Sequence, residues 1–145
     1  MSRRKIREVF KVSTSDSQIF YVKRNLIKHS KIIHSIIVEL ELDIEDEEMA
    51  PINLDDVDGK TLSRIVDWLA FHESTNTLSL MPERADQIGS WEKEHLRKSM
   101  DEFLNIIRAS HALEIPKLIA TVNLLFADIM KGKTTEQTLE YFVNM

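Results

Sequence analysis

The sequence predicts a mixed α+β domain in which a small, mostly antiparallel sheet packs against several helices. Two short runs with strand character lie near the start of the chain, and later segments carry apolar residues at helical spacing. Only three Gly and three Pro interrupt the 145 residues, so most of the chain is free to form helices. With 43% hydrophobic and 30% charged residues, the composition is that of one globular domain with its own core.

The first predicted element is a β-hairpin. Residues 10–13 alternate apolar and polar side chains, and residues 19–22 are rich in strand-forming types. Between them, Ser15-Asp16-Ser17 is typical of a turn. A further short strand is predicted at residues 51–54.

Five helices are predicted from apolar residues at helical spacing and from residues typical of a helix start. These starting residues are, in chain order, Ser30, Asp58, Ser99, Pro116 and Thr134. Residues 39–48 contain seven acidic residues and are predicted to form a solvated loop. Residues 73–90, rich in Ser, Thr and Asn, are predicted to form a second loop, which is too short and too internal to separate two domains.

The helix predicted over residues 116–131 is apolar around most of its circumference. One stripe contains Leu118, Val122, Leu125 and Ile129, and an adjoining stripe contains Ile119, Phe126 and Met130. A helix of this kind is buried on more than one side. Two interpretations stay open: a central core helix, or a helix with one face in the core and the other awaiting a partner.

The sequence lacks the residue patterns of most enzymes and metal sites. There is no Cys, no Gly-x-Ser-x-Gly elbow and no His-Glu-x-x-His motif, and the five histidines are not spaced to converge. We therefore expect no enzymatic activity, no cofactor and no metal ion.

Charge is distributed unevenly along the chain, whose net charge is −5. Residues 1–37 contain nine Lys or Arg and two acids, which gives a net charge of +7. The other 108 residues contain ten Lys or Arg and 22 acids, which gives a net charge of −12. The basic start, Ser2 to Arg7, is predicted to be a solvated tail. We expect no nucleic-acid partner, because no predicted recognition helix concentrates Lys and Arg. We expect no membrane partner, because the most apolar stretch is shorter than a span, and the predicted location is cytoplasmic or nuclear.

Seven short motifs occur in order along the chain. They are residues 10–22, Ser30 to Ile33, Ile52-Asn53-Leu54-Asp55-Asp56-Val57, Leu62 to Trp68 with His72, Trp91-Glu92-Lys93-Glu94-His95-Leu96, residues 109–115, and Met130-Lys131-Gly132-Lys133-Thr134-Thr135-Glu136-Gln137. In this order and spacing they resemble the SKP-type adaptor family, whose members have the BTB/POZ fold and link F-box proteins to a cullin in ubiquitin ligases. Each motif alone is weak, and the resemblance depends on all seven being in register.

The resemblance implies a division of the chain and two partner surfaces. Residues 1–8 would form a basic tail, 9–131 the BTB/POZ domain, and 132–145 the truncated start of a helical extension that binds the F-box. The positions implied for the F-box partner are Leu104, Ile107, Leu118, Val122, Leu125, Phe126, Ile129, Leu139 and Phe142. Those implied for the cullin are Ile33, Ile36, His111 and Ala112.

The pair His111-Ala112 departs from the family pattern, which has Asn-Tyr in the region that contacts the cullin. Losing a large aromatic anchor from an interface can cost ~2 kcal/mol or more. Two functions therefore stay open. One is an adaptor between an F-box protein and a cullin, and the other is a structural or self-associating SKP-like protein, such as a homodimer, that has lost one partner.

Overall fold

The fold is described for residues 7–40 and 51–131 of a computed structural model. Three predicted features lie outside these residues: nearly all of the basic tail, the acidic segment from residue 41 onward, and the last predicted helix with Leu139 and Phe142.

A small sheet of three strands confirms the predicted hairpin and the short third strand. The strands are β1 (Val9–Ser13), β2 (Ile19–Lys23) and β3 (Ile52–Asn53). β1 is central, antiparallel to β2 and parallel to β3. Phe10 and Val12 of β1 point into the core, where they are at most 1% exposed.

The described residues contain six α-helices, and a 3₁₀ turn lies at Ala85–Gln87. They are α1 (Arg24–Ile27), α2 (Lys31–Glu39), α3 (Gly59–Ser74), α4 (Ser90–Leu96), α5 (Met100–Leu113) and α6 (Pro116–Met130). The predicted N-caps Ser30, Asp58 and Ser99 each accept a hydrogen bond from the backbone N–H three residues later. The sequence predicts neither α1 nor α4, because neither begins with a side chain that caps it.

One hydrophobic core joins the sheet to the helices, and together they form the predicted α+β fold. Trp68 and Ile65 of α3 are fully buried, as are Ile106 of α5 and Leu118 of α6. α5 packs against both α3 and α6, so its apolar stripe lies at the centre of the helical layer.

The start of α2 is fastened to the end of α5 by buried hydrogen bonds. The Ser30 hydroxyl donates to the carbonyl of Leu113 at 2.5 Å and accepts from the N–H of Ile33 at 3.2 Å. The N–H of Lys31 donates to the carbonyl of Glu114 at 3.0 Å. Ser30 is only 2% exposed, so these bonds are shielded from water and fix the two helix ends side by side.

A second buried network joins α3, α4 and α6. One carboxylate oxygen of Glu92 accepts from the indole N–H of Trp68 at 2.6 Å and from Nε2 of His72 at 2.8 Å. Because a carboxylate only accepts, the His72 ring proton is on Nε2, and Nδ1 is left to accept from Thr77 Oγ1 at 2.6 Å and Lys117 Nζ at 3.2 Å. Lys117 also donates to the carbonyl of Thr77 at 2.5 Å. The network therefore ties the segment after α3 to the first turn of α6.

We predict that Ser30→Ala lowers the free energy of unfolding by about 1 to 2 kcal/mol, because it removes an N-cap and leaves the buried Leu113 carbonyl without its donor. Urea denaturation measures this. The control is Ser35→Ala at an exposed position of the same helix, which we expect to be nearly neutral. Equal stability of the Ser30 and Ser35 variants would contradict the role of Ser30.

We predict that Glu92→Gln makes the stability less dependent on pH in the acid range. Burial raises the pKa of Glu92, but hydrogen bonds from His72 and Trp68 and the nearby Lys117 charge outweigh burial and hold the pKa below its ordinary 4.5. A carboxyl whose folded pKa is lowered contributes stability above its unfolded pKa, and this contribution is lost as the pH falls through the folded pKa. We expect the variant to lose roughly 1–3 kcal/mol of unfolding free energy at pH 7 and the two proteins to converge at low pH. If the melting temperatures of the two proteins fell in parallel from pH 7 to pH 3, this prediction would be contradicted.

Candidate protein-binding surfaces

The first candidate surface lies where α2 meets the end of α5, and we call Ile32, Ile36, His111 and Ala112 the α2–α5 surface. Ile32, His111 and Ala112 are exposed, and Ile36 is half-buried against the core. The bonds from Ser30 and Lys31 bring these two helix segments together although they are far apart in the sequence. Farther along α2, Val38 is 56% exposed. Isoleucines beside a histidine make a helical surface suited to protein binding.

Ile33, which the sequence predicted at this surface, lies elsewhere. It is 3% exposed and belongs to the core, because it occupies the face of α2 that turns toward the rest of the domain. Ile33 therefore supports the α2–α5 surface from beneath.

The second candidate surface runs along α5 and α6, and we call Ile107, Phe126 and Ile129 the α5–α6 surface. All three side chains are half-buried and pack against the core with part of each in solvent. Ile119 and Met130 on α6 are also half-buried. The second stripe of α6 is therefore partly open to solvent within the described part of the chain.

Four residues predicted at this surface are core residues in the structure. Leu118, Val122 and Leu125 are 0% exposed, and Leu104 is 8% exposed. They occupy the stripe of α6 and the face of α5 along which the two helices pack. Contact with a partner thus stays a prediction for Ile107, Phe126 and Ile129, and the predicted positions Leu139 and Phe142 lie outside the described residues.

A cleft of about 370 Å³ lies next to the α5–α6 surface. Met100 and Phe103 of α5 line it together with Ile129, and Lys93 and Arg97 contribute positive charge from α4 and the residue after it. The sequence interpretation missed this cleft, because it depends on α4, which has no capping signal. The motif at Trp91 to Leu96 was the signal that could have located it.

Two features that would indicate a metal site or a membrane span are absent from the described residues. Within residues 7–40 and 51–131, no group of three or more His, Asp or Glu side chains is placed to hold a metal ion. No helix in these ranges is long and apolar enough to cross a membrane. The buried ionisable groups Glu92 and Lys117 are hydrogen-bonded within the protein. Burial lowers the pKa of Lys117, and Glu92 opposes that shift.

Comparison with known proteins relates the chain to one family. Residues 8–74 match the family model described as the Skp1 family tetramerisation domain. The chain is 33% identical to a Skp1-related protein of Caenorhabditis elegans over 143 residues, which cover 95% of this chain and 81% of that protein. It is 24% identical over 135 residues to the E3 ubiquitin ligase complex SCF subunit sconC of Talaromyces marneffei, which cover 90% of this chain and 81% of that protein. It is 29% identical over 133 residues to SKP1-like protein 9 of Arabidopsis thaliana, which cover 90% of this chain and 80% of that protein.

We predict that the isolated chain self-associates through the α5–α6 surface and that Phe126→Lys makes it monomeric. Phe126 is half-buried, so the aliphatic stem of lysine covers part of the same surface while its ammonium group reaches water. We expect a cost of about 1 kcal/mol in stability. Sedimentation and thermal melting measure both effects.

The matched control is the neighbouring change Leu125→Lys, which places a charge at a position that is 0% exposed. We expect this variant to lose several kcal/mol, in the range of about 3 to 5, or to fail to fold. If the wild type is monomeric and both changes lower the melting temperature equally, Phe126 is a core residue and not part of a binding surface.

Proposed function

Because this chain belongs to the Skp1 family, we propose that it is a non-enzymatic adaptor that links an F-box-type substrate receptor to a cullin in a ubiquitin ligase complex. A related protein is named as a subunit of such a complex, which supports this assignment. We place the adaptor in the cytoplasm or nucleus, and the proposal includes no nucleic-acid or membrane partner.

The observation that carries the proposal is the separation, along α5, between the α2–α5 surface and the cleft that adjoins the α5–α6 surface. His111 and Ala112 lie in the last turn of this helix, whereas Met100 and Phe103 lie in its first turn and line the cleft beside Ile129. At about 1.5 Å per residue, the two ends are roughly 18 Å apart. One rigid helix therefore presents two separate surfaces, as a bridge between two proteins requires.

We assign the α2–α5 surface to the cullin. Its half-buried Ile36 and exposed Ile32 supply apolar contact, and exposed His111 supplies a polar rim. Ala112 is small at the position where the family pattern has a large aromatic residue. The cullin contact is therefore weaker than in family members with Asn-Tyr.

We assign the α5–α6 surface to the F-box partner. Ile107, Phe126 and Ile129 offer apolar area on two adjacent helices, and the cleft beside Ile129 can receive an apolar side chain. Such an adaptor catalyses nothing itself. It raises the concentration of the bound substrate near the ligase by holding two proteins together.

A second candidate function is self-association by a Skp1 family member that no longer binds a cullin. The observation that favours it is Ala112, which is exposed where an aromatic anchor would otherwise project. In this case the α5–α6 surface would meet a second copy of the chain.

Co-purification of the chain with a cullin N-terminal domain and, separately, with an F-box domain tests the adaptor proposal. Binding of both proteins is expected, and Phe126→Lys should weaken only the F-box interaction. Binding of the F-box domain without the cullin would show that the cullin contact is lost and would overturn the bridging role. Binding of neither protein by a chain that self-associates would overturn the adaptor proposal and favour the second candidate function.

We predict that the double change His111→Asn with Ala112→Tyr tightens cullin binding. A restored aromatic anchor is worth ~2 kcal/mol, which corresponds to about 30-fold in Kd. Calorimetry measures this affinity, and the F-box affinity of the same variant is the control because both positions lie at the end of α5 away from the cleft beside Ile129. Unchanged cullin affinity would show that the anchor has no role here.

A further inference from the structure

Within residues 7–40 and 51–131, no strand pairs with the outer edge of β2. In the hairpin, the N–H of Arg24 donates to the carbonyl of Glu8, and the N–H of Thr14 donates to the carbonyl of Gln18. Hydrogen-bonded pairs alternate along an antiparallel ladder, so the residues of β1 and β2 that bond to each other are the even-numbered ones. Phe20 and Val22 therefore use their backbone groups toward β1. The backbone groups of Ile19, Tyr21 and Lys23 point away from β1, and we call these three residues the β2 edge.

The other side of the hairpin is already occupied. The N–H of Leu54 donates to the carbonyl of Ser13 at 2.8 Å, which joins β1 to β3. Among the described residues, no strand lies beyond β2. The β2 edge thus offers donors and acceptors for one more strand on this side of the sheet.

The sheet face beside this edge is exposed and partly apolar. Tyr21 is 69% exposed, and Val9 and Ile19 are each 44% exposed. These residues alternate with buried ones, so their side chains all lie on the same face of the hairpin. An added strand could pack its own apolar side chains against them.

The charges on this face are positive. Lys11 and Lys23 lie on it, and the remaining residues of the three strands on this face are uncharged: Val9, Ser13, Ile19, Tyr21 and Asn53. Acids lie only near the strand ends, with Glu8 before β1, Asp16 in the hairpin turn, and Asp55 and Asp56 after β3. The Asp16 carboxylate already accepts hydrogen bonds from the Thr14 hydroxyl and the N–H of Gly59.

We propose that the β2 edge binds an extended acidic segment of another protein as a fourth strand of the sheet. Backbone hydrogen bonds to Ile19, Tyr21 and Lys23 would supply affinity, and Lys11 and Lys23 would select a peptide in which acids alternate with apolar residues. A second copy of β2 carries no acidic residue, so pairing two such edges would leave Lys11 and Lys23 without an opposite charge. The edge lies outside the α2–α5 and α5–α6 surfaces, so this proposal does not depend on the adaptor function.

The test uses a fluorescent peptide, Glu-Val-Glu-Val-Glu-Val-Glu, and measures its binding by anisotropy. Tyr21→Pro removes an outward N–H that the ladder does not use, so the hairpin should keep its melting temperature. We expect this change to weaken binding by about fivefold or more. The matched control Tyr21→Val keeps the N–H and should bind within about twofold of wild type.

Charge is tested separately. The double change Lys11→Glu with Lys23→Glu should weaken binding by about tenfold or more, and added salt should weaken wild-type binding. The peptide Lys-Val-Lys-Val-Lys-Val-Lys should not bind. Equal binding of both peptides would overturn the proposal.

Amide hydrogen exchange locates the peptide. Binding should slow exchange at Ile19, Tyr21 and Lys23 and leave Phe20 and Val22, already protected by the ladder, unchanged. Protection confined to α5 and α6 would overturn the proposal. Concentration-dependent dimerisation that Tyr21→Pro abolishes would also overturn it, since the occupant would then be a second copy of the chain.

Discussion

The hydrogen bond from Ser30 to the carbonyl of Leu113 is the contact on which the α2–α5 surface depends. It fixes the start of α2 against the last turn of α5, and the neighbouring bond from Lys31 to Glu114 fixes the direction in which α2 leaves. Glu114 ends α5 in a left-handed conformation, with φ of 50°, which turns its carbonyl toward α2. Without this junction, α2 would not lie next to His111, and the last turn of α5 would not be held in a fixed position relative to α2.

α6 shows how one apolar helix serves two purposes. Leu118, Val122 and Leu125 of its first stripe are fully buried in the core, whereas Ile129 and the second stripe are half-buried. We therefore expect the stability of the domain and the proposed partner binding to depend on adjoining sides of the same fifteen residues. Substitutions at the buried positions should act on folding, and those at the half-buried positions on association.

The parts of the fold that the sequence predicted are those determined by local signals. The hairpin follows from alternation, and α2, α3 and α5 follow from the caps Ser30, Asp58 and Ser99. α1 and α4 lack such signals and are held by tertiary contacts instead. The site could be predicted only in outline, because periodicity shows that α6 has two apolar sides and does not show which side packs on α5. The contact of Glu92 with His72 and Lys117 joins residues that no local pattern relates.

The network around Glu92 also has a consequence for how the domain opens. Lys117 donates to the carbonyl of Thr77, and Nδ1 of His72 accepts from the Thr77 hydroxyl. The segment between α3 and α4 therefore cannot lift away without breaking both bonds and leaving the buried Lys117 with fewer partners. Local opening of this segment is therefore coupled to movement of the first turn of α6. Residues 75–89 then behave as part of one cooperative unit with the helices on either side, although much of the segment is exposed to solvent.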